Sequence, residues 1–220
     1  MKKILFVSFF SPPTGSGGGE RITKLLKYID CCEKYLLTSD YPSYKYRDDS
    51  SRIPEEIKVY RVLFKDPRIF IPKFVYRFLK RGGKEVNDVI EKYRVLPQSM
   101  ATKIRLLLFV PDDKIRWAKD SIKIGEKIIE ENNIDTIITT GPPHSTHLVG
   151  LALKRKKGVK WVIDLRDLWS ENPFVQYPKS SKIKNLKIEE VCLRESDLII
   201  VVTETFKKIL LNNFDFLNPQ

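Results

Sequence analysis

The chain has 220 residues, of which 42% are hydrophobic and 31% are charged. This length and composition fit one α/β domain, or a large half of a two-domain protein, with enough apolar residues for a real core. No apolar run reaches the roughly 18 residues that a membrane-spanning helix needs, which argues against an integral membrane protein. The net charge of +12, from 40 basic and 28 acidic residues, is unevenly spread and indicates an anionic partner, with a solvated basic face as the alternative.

Cysteine and histidine usage argues against two common kinds of site. The three cysteines, Cys31, Cys32 and Cys192, form neither a disulfide framework nor a Cys-x-x-Cys motif. Since there are only two histidines as well, a zinc site is not expected, and we predict no metal and no cofactor. A reducing cytoplasm is the expected compartment.

The chain begins with a predicted buried strand at residues 4–9, rather than a signal peptide, because a loop rich in proline and glycine follows it. Gly17, Gly18 and Gly19 precede a helical pattern, and in such an arrangement backbone N–H groups and a helix N-terminus can hold a phosphate. Neither a dinucleotide fingerprint nor a P-loop is matched, because Glu20 occupies the last glycine position of the first and no Gly-Lys-Ser/Thr follows. A plain flexible connection is the alternative.

Two further strands are predicted at residues 34–38 and 57–63, and a basic region follows. Residues 61–110 hold twelve Lys and Arg against four Asp and Glu, which is most of the excess charge of the chain. Aromatic and basic residues alternate there on a predicted amphipathic helix, a pattern typical of helices that lie on anionic membranes. The side chains expected to contact such a surface are Lys73, Phe74, Arg77, Phe78, Lys80 and Arg81. A helix packed on the sheet is an alternative, and nucleic-acid binding is a weaker one because no matching signature accompanies the charge.

The rest of the chain is organised around Gly141-Pro142-Pro143-His144-Ser145, at the passage from a strand to a helix. A long helix, capped by Asp112 or Asp113, is predicted before a strand at residues 134–139. The two prolines delay the next helix and place His144 in its first turn. Ligands bind at this end of the strands in open α/β sheets, so His144 is predicted to contact a ligand. The alternative is that His144 only starts the helix.

Two last strands are predicted at residues 160–164 and 198–202. The segment Asp164-Leu165-Arg166-Asp167-Leu168-Trp169 follows the first of them and is a second candidate site. The alternative is an internal Arg–Asp pair that pins the loop. Six strands alternating with helices predict a Rossmann-like α/β fold, with a mostly parallel sheet and helices on both faces. Because the carboxyl ends of parallel strands share one edge, the glycine loop and both later turns are expected to converge on one cleft.

Taken together, these motifs resemble the N-terminal domain of GT-B glycosyltransferases, in particular the family 4 enzymes, which are retaining and use nucleotide sugars. The resemblance runs from residue 3 to about 211. Its matching stretches are the loop from Ser11-Pro12-Pro13 to Glu20, Pro111-Asp112 with Trp117 and Ala118, Gly141 to Ser145, Asp164 to Trp169, and Ser196 to Thr203. It implies an acceptor-side domain over residues 1–211, with the basic aromatic insertion at about 65–110, and a linker beginning at 212–220. The C-terminal nucleotide-sugar domain lies outside these 220 residues, so the chain alone is expected to be inactive.

The resemblance also implies roles for individual residues. Donor phosphates would lie against Gly17, Gly18 and Gly19. His144 would bind the donor sugar and stabilise charge at its anomeric carbon, as a neutral ring because a helix N-terminus disfavours imidazolium. His147 is expected to face the sheet or solvent. Asp167 is the second catalytic candidate, and the acceptor would be contacted by Glu20, Arg166 and Trp169.

The activity implied is transfer of a hexose from a nucleotide sugar to a saccharide or lipid-linked acceptor in cell-envelope polysaccharide synthesis. The enzyme would be cytoplasmic, either free or peripheral on the inner face of the membrane, and would bind no nucleic acid. The alternative is a stand-alone sugar-binding, phosphate-binding or peripheral membrane module without catalysis.

Overall fold

The computed structural model describes residues 2–40, 48, 50, 52–65 and 98–218. Within these ranges, six strands form one sheet in the order β3-β2-β1-β4-β5-β6, and every neighbouring pair is parallel. The strands are β1 (Lys2–Ser8), β2 (Cys32–Ser39), β3 (Lys58–Val62), β4 (Thr136–Gly141), β5 (Lys160–Leu165) and β6 (Leu198–Val201). All six predicted strands are present, and the predicted Rossmann-like α/β fold class is confirmed.

Helices cover both faces of the sheet. In the described ranges they are α1 (Gly17–Tyr28), α2 (Gln98–Leu108), α3 (Ile115–Asn132), α4 (Ser145–Lys157), α5 (Lys179–Glu195) and α6 (Glu204–Asn213). Side chains of β1 alternate between the faces, as a strand requires: Phe6 packs with α1, whereas Leu5 and Val7 pack with α3 and α4. None of the helices in the described part of the chain has both the length and the hydropathy needed to cross a membrane.

The glycine run is the first turn of α1 and not a loop, which corrects the prediction. Ser16 caps this helix, and its Oγ accepts a hydrogen bond of 3.2 Å from the Gly19 N–H. A Cβ on Gly19 would lie 2.1 Å from the Thr14 carbonyl oxygen, and a Cβ on Gly18 would lie 3.0 Å from Phe10 Cδ2. Glycine is therefore required because the helix start packs directly against the preceding loop.

Neither Asp112 nor Asp113 caps α3, so the predicted capping role is wrong. The N-cap residue of α3 is Lys114, which makes no side-chain capping bond. Asp112 instead caps α4, because its Oδ2 accepts a 2.8 Å hydrogen bond from the Ser145 N–H. Its Oδ1 accepts a 2.9 Å bond from the Lys114 N–H. One carboxylate therefore ties the turn before α3 to the N-terminus of α4, where negative charge is favourable.

The predicted membrane-contact segment lies outside the described residues, so its role stays a prediction. This applies to Lys73, Phe74, Arg77, Phe78, Lys80 and Arg81. The domain boundaries implied by the resemblance likewise stay predictions.

Candidate functional site

Two cavities lie on either side of the turn that follows β5. The larger one, here called the His144 cavity, has a volume of about 850 Å³. Its walls come from α2, from the turns before α3 and α4, and from residues 172–177, with Phe10 and Asp167. The smaller one, here called the α1 groove, has a volume of about 420 Å³ and is lined by one face of α1 and by Arg166. The single predicted cleft is therefore two cavities that share the Arg166-Asp167 turn.

His144 is buried at the edge of the larger cavity, with 5% of its surface exposed. Its imidazole stacks on the Trp169 indole, with ring centroids 4.8 Å apart and 4° between the planes. Its Nδ1 has no hydrogen-bond partner among the described residues. Burial first, then His147 and the charge of Arg166, hold the pKa of His144 well below its ordinary value of 6.5, against an opposing hydrogen bond to the Leu168 backbone. The ring is therefore neutral near pH 7, as expected, but burial rather than the helix terminus is the main cause.

His147 faces the sheet, which was one of its two predicted environments. It is fully buried, and its Nδ1 lies 2.9 Å from Thr139 Oγ1. Burial lowers the pKa of His147 to about 4. A Cβ on Gly141 would lie 2.5 Å from His147 Nε2, so the glycine at the end of β4 makes room for this ring. His147 thus supports the turn that carries His144.

Trp169 lies beneath His144 and is only 1% exposed. Its Nε1 donates a 2.8 Å hydrogen bond to Asn185 Oδ1 in α5. This burial leaves no surface for an acceptor, which corrects the predicted acceptor contact. The sequence analysis assigned Trp169 to a candidate site. It did not identify the contacts with α5, because those residues lie in a different part of the chain.

The guanidinium of Arg166 lies against the first turn of α1. A Cβ on Gly18 would be 2.9 Å from Arg166 Nη1, and a Cβ on Gly17 would be 3.7 Å from the same atom. A helix N-terminus and a cation thus meet at one end of the α1 groove, an arrangement that favours an anion. Of the three glycines predicted to contact phosphate, only Gly17 lines either of these two cavities. Gly18 and Gly19 are buried, and the Gly19 N–H is already bonded to Ser16.

The two acidic candidates lie in different cavities. Glu20 lines the α1 groove and pairs with Lys24 at 2.7 Å. Asp167 lines the His144 cavity, and its side chain is 44% exposed. Arg166 Nη2 and Asp167 Oδ2 are 3.5 Å apart, so the residues of the shared turn form a loose pair.

Arg21 is a site residue that the sequence analysis did not identify. Asp164 Oδ2 accepts a 2.9 Å hydrogen bond from Arg21 Nε, and Arg21 Nη2 donates to Oδ1 of the same carboxylate. Thr140 Oγ1 donates a further bond of 2.7 Å to Asp164 Oδ2. An Arg–Asp pair does pin the loop, as the alternative interpretation held, but its arginine comes from α1. The pair holds Gly17 close to Arg166.

Among the described residues, no three His, Cys, Asp or Glu side chains are grouped as metal ligands would be. That the protein needs no metal and no cofactor stays a prediction.

Comparison with solved structures agrees with this fold. The S. aureus MnaA–UDP co-structure matches with a TM-score of 0.51 at 16% sequence identity, covering 99% of this chain and 42% of that chain. Phytolacca americana UGT2, complexed with UDP-2fluoro-glucose and pterostilbene, matches with a TM-score of 0.42 at 12% identity, covering 76% of this chain and 31% of that chain. A short chain dehydrogenase from Bacillus anthracis gives a TM-score of 0.36 at 11% identity, covering 94% and 96%.

These likenesses concern the fold alone, and of these three structures the MnaA structure is the one with a TM-score above 0.5. The chain spans 42% of the length of the MnaA chain. No protein-family model and no curated protein sequence matches the chain.

Proposed function

We propose that this chain is the acceptor-side half of a GT-B glycosyltransferase of the family 4 type, acting together with a nucleotide-sugar-binding domain. The observation that carries the proposal is the neutral, buried His144 beside a cavity of about 850 Å³, with Nδ1 unpartnered. A buried polar atom without a partner is costly, and a ligand hydroxyl bonded to Nδ1 would remove that cost, which requires the imidazole to turn towards the cavity because Nδ1 is itself buried. The MnaA structure, which has a related fold, was solved with UDP.

The donor would span the turn shared by the two cavities. Its diphosphate would lie at Arg166 and the N-terminus of α1, where a cation and a helix terminus favour negative charge. Its sugar would lie near His144. Catalysis would be mainly electrostatic, since such groups stabilise the departing nucleoside diphosphate, and neutral His144 would hydrogen-bond the sugar as charge develops. Asp167, which is partly exposed in the same cavity, would orient the acceptor hydroxyl.

We further propose a saccharide or lipid-linked acceptor used in polysaccharide synthesis. The His144 cavity combines cations with apolar side chains, and one of these, Phe174, is 94% exposed. Contact of the basic aromatic segment with an anionic membrane belongs to the same proposal. Sedimentation with anionic liposomes at low and high salt tests it, and no binding at low salt would contradict the membrane part.

The donor site is tested by NMR titration of a polypeptide that contains these 220 residues and the nucleotide-sugar domain, with UDP and with UDP-glucose as the probe sugar nucleotide. We expect saturable shifts of the Gly17 amide and the Arg166 guanidinium with UDP, and further shifts of the His144 ring with UDP-glucose. Arg166→Gln should weaken UDP binding about tenfold, since it removes one charge-assisted contact. Arg155→Gln is the matched control, because Arg155 is an exposed cation of α4 paired with Glu195.

Absence of saturable shifts at Gly17 and Arg166 with either compound would contradict the proposed donor site. Turnover is tested separately, in the same polypeptide. There His144→Ala should reduce sugar transfer strongly, and unchanged transfer would refute its assigned role. Binding by the chain without any transfer would favour a non-catalytic sugar- or phosphate-binding module.

A further inference from the structure

One face of α5 carries a row of buried polar side chains. Ser181, Asn185 and Glu189 recur at every fourth position and are 1%, 0% and 1% exposed. They therefore lie on one face of the helix, and we call them the polar stripe. Apolar residues would fill such positions at lower cost, because buried polar groups are unfavourable unless they are hydrogen-bonded. The polar stripe thus needs an explanation beyond filling the core.

The members of the polar stripe bond to Leu106 in the wall of the His144 cavity and to two buried residues that do not line it, Trp169 and Ser170. Ser181 Oγ donates to the Leu106 carbonyl of α2, which lines the cavity. Asn185 Oδ1 accepts the 2.8 Å bond from Trp169 Nε1. Glu189 Oε2 accepts a 3.0 Å bond from the Ser170 N–H. The indole of Trp169 and the backbone next to it are therefore both held by α5.

The Asn185 amide is itself held in place. Its Nδ2 donates a 3.0 Å hydrogen bond to the Ser181 carbonyl one turn earlier, which turns Oδ1 towards Trp169. Glu189 lowers the stability of the folded state when its carboxyl group is charged, because burial raises its pKa to about 7. An indole has no polar atom except Nε1–H, so this bond selects one orientation of the ring in its pocket.

We propose that the polar stripe of α5 is a positioning element for His144, because it sets the plane of the Trp169 indole on which the imidazole stacks. Without the Asn185 bond, the indole loses the one polar contact that selects its orientation, and the 4° stacking geometry is no longer imposed. Asn185 is the central positioning residue, and Glu189 holds the adjoining backbone. The consequence for catalysis rests on the proposed function, since only there does His144 contact a substrate.

The experiment uses the imidazole resonances of the intact chain, which contains only two histidines. The signals are assigned with His144→Gln and His147→Gln, and Asn185→Leu is then compared with wild type. We expect the carbon-bound ring protons of His144 to move from ring-current-shielded positions towards those of unstacked imidazole. We also expect the measured titration midpoint of His144 to rise towards 6.5 as the ring becomes exposed, while that of His147 stays near 4.

Two further variants separate positioning from general loss of stability. Trp169→Phe keeps an aromatic ring but lacks the Nε1–H donor. It should therefore change the ring-proton shifts and the titration midpoint of His144 in the same direction as Asn185→Leu. Leu210→Ala, in the buried core at α6, should destabilise the protein without moving the His144 signals. If Asn185→Leu does not fold, Asn185→Ser is measured in its place, since serine is too short to reach the indole.

Unchanged His144 shifts and an unchanged titration midpoint in a folded Asn185 variant would overturn this inference. So would equal changes in the Leu210→Ala control. The outcome is independent of the proposed function: changed His144 ring signals in the Asn185 variant would support the positioning element, whereas missing UDP shifts at Gly17 and Arg166 would contradict only the proposed donor site.

Discussion

The imidazole of His144 lies flat on the indole of Trp169, with centroids 4.8 Å apart and planes within 4°. The two rings come from the turns that follow β4 and β5, whose parallel pairing sets Gly141 opposite Leu165. The sheet thus brings two turns together that are separate in the sequence, as parallel topology requires at its carboxyl edge. Four predictions follow for the contribution of buried groups to the stability of the protein.

His147 should make the protein less stable in acid. Burial lowers its pKa to about 4 in the folded state, whereas the unfolded chain binds the proton at the ordinary value of 6.5. The unfolded state binds more protons between these values, so stability is lost as pH falls through this window, by about 3 kcal/mol in total. Urea unfolding of wild type and His147→Leu across this range measures the difference. If the two proteins show the same pH dependence, the assignment to His147 is wrong.

Glu189 should make the protein less stable as pH rises, which is the opposite of the effect of His147. Burial raises its pKa from 4.5 to about 7, so below 4.5 the group is protonated in both states and has no effect. Between these values the unfolded state loses its proton first, and stability declines as pH rises. Above about pH 7 the full penalty, about 3 kcal/mol, is present.

The variant Glu189→Gln keeps an oxygen for the Ser170 N–H but removes this titration. It should be more stable than wild type at about pH 8 by up to about 3 kcal/mol, and nearly equal to it at about pH 4. Glu190→Gln is the control, because Glu190 pairs with Arg194 at the surface and should change stability by less than about 1 kcal/mol. A Glu189→Gln gain that does not depend on pH would contradict the raised pKa.

Removing Arg21 should be costly because its partner stays buried. The Asp164 side chain is 1% exposed, and Arg21→Met leaves its charge without a cation. We expect a loss of about 3 kcal/mol in urea unfolding. Lys24→Met, which breaks an exposed pair with Glu20 on the same helix, should leave the unfolding free energy nearly unchanged.

The double variant Arg21→Met/Asp164→Leu distinguishes an uncompensated charge from lost packing. It should recover most of the stability that Arg21→Met loses, since no buried carboxylate remains. Failure to recover would mean that the arginine contributes mainly by packing.

Gly150 should tolerate no side chain. A Cβ there would lie 2.2 Å from Trp161 Nε1 and 2.7 Å from Thr139 Cγ2, because α4 packs close to the sheet. Gly150→Ala should lower the unfolding free energy by about 2 kcal/mol despite the better helix propensity of alanine. Gly17→Ala is the control, since its Cβ would meet only Arg166 Nη1 at 3.7 Å. Equal stability of the two variants would show that α4 can shift to make room.

The strands and the main helices could be predicted because their signals are local. Runs of apolar and β-branched residues, alternating with helical periodicity, placed all six strands and predicted the parallel sheet. The end of α4 also rests on a local property, since its C-cap residue Gly158 has the left-handed φ of 66° that favours glycine. His144 was predicted near a ligand-binding edge for the same reason, since it follows a strand of a parallel sheet.

The tertiary structure alone decided how these side chains are used. Asp112 caps α4 instead of the adjacent α3, Asp164 pairs with Arg21 of α1, and Trp169 is covered by α5. These contacts join residues that lie far apart in the chain, and hydrogen bonds and packing depend on distance in space. The sequence determined which elements form and at which edge their polar turns meet. Only the packing of the helices determined that His144 is buried and held on an indole, and that burial is the main cause of its neutral state.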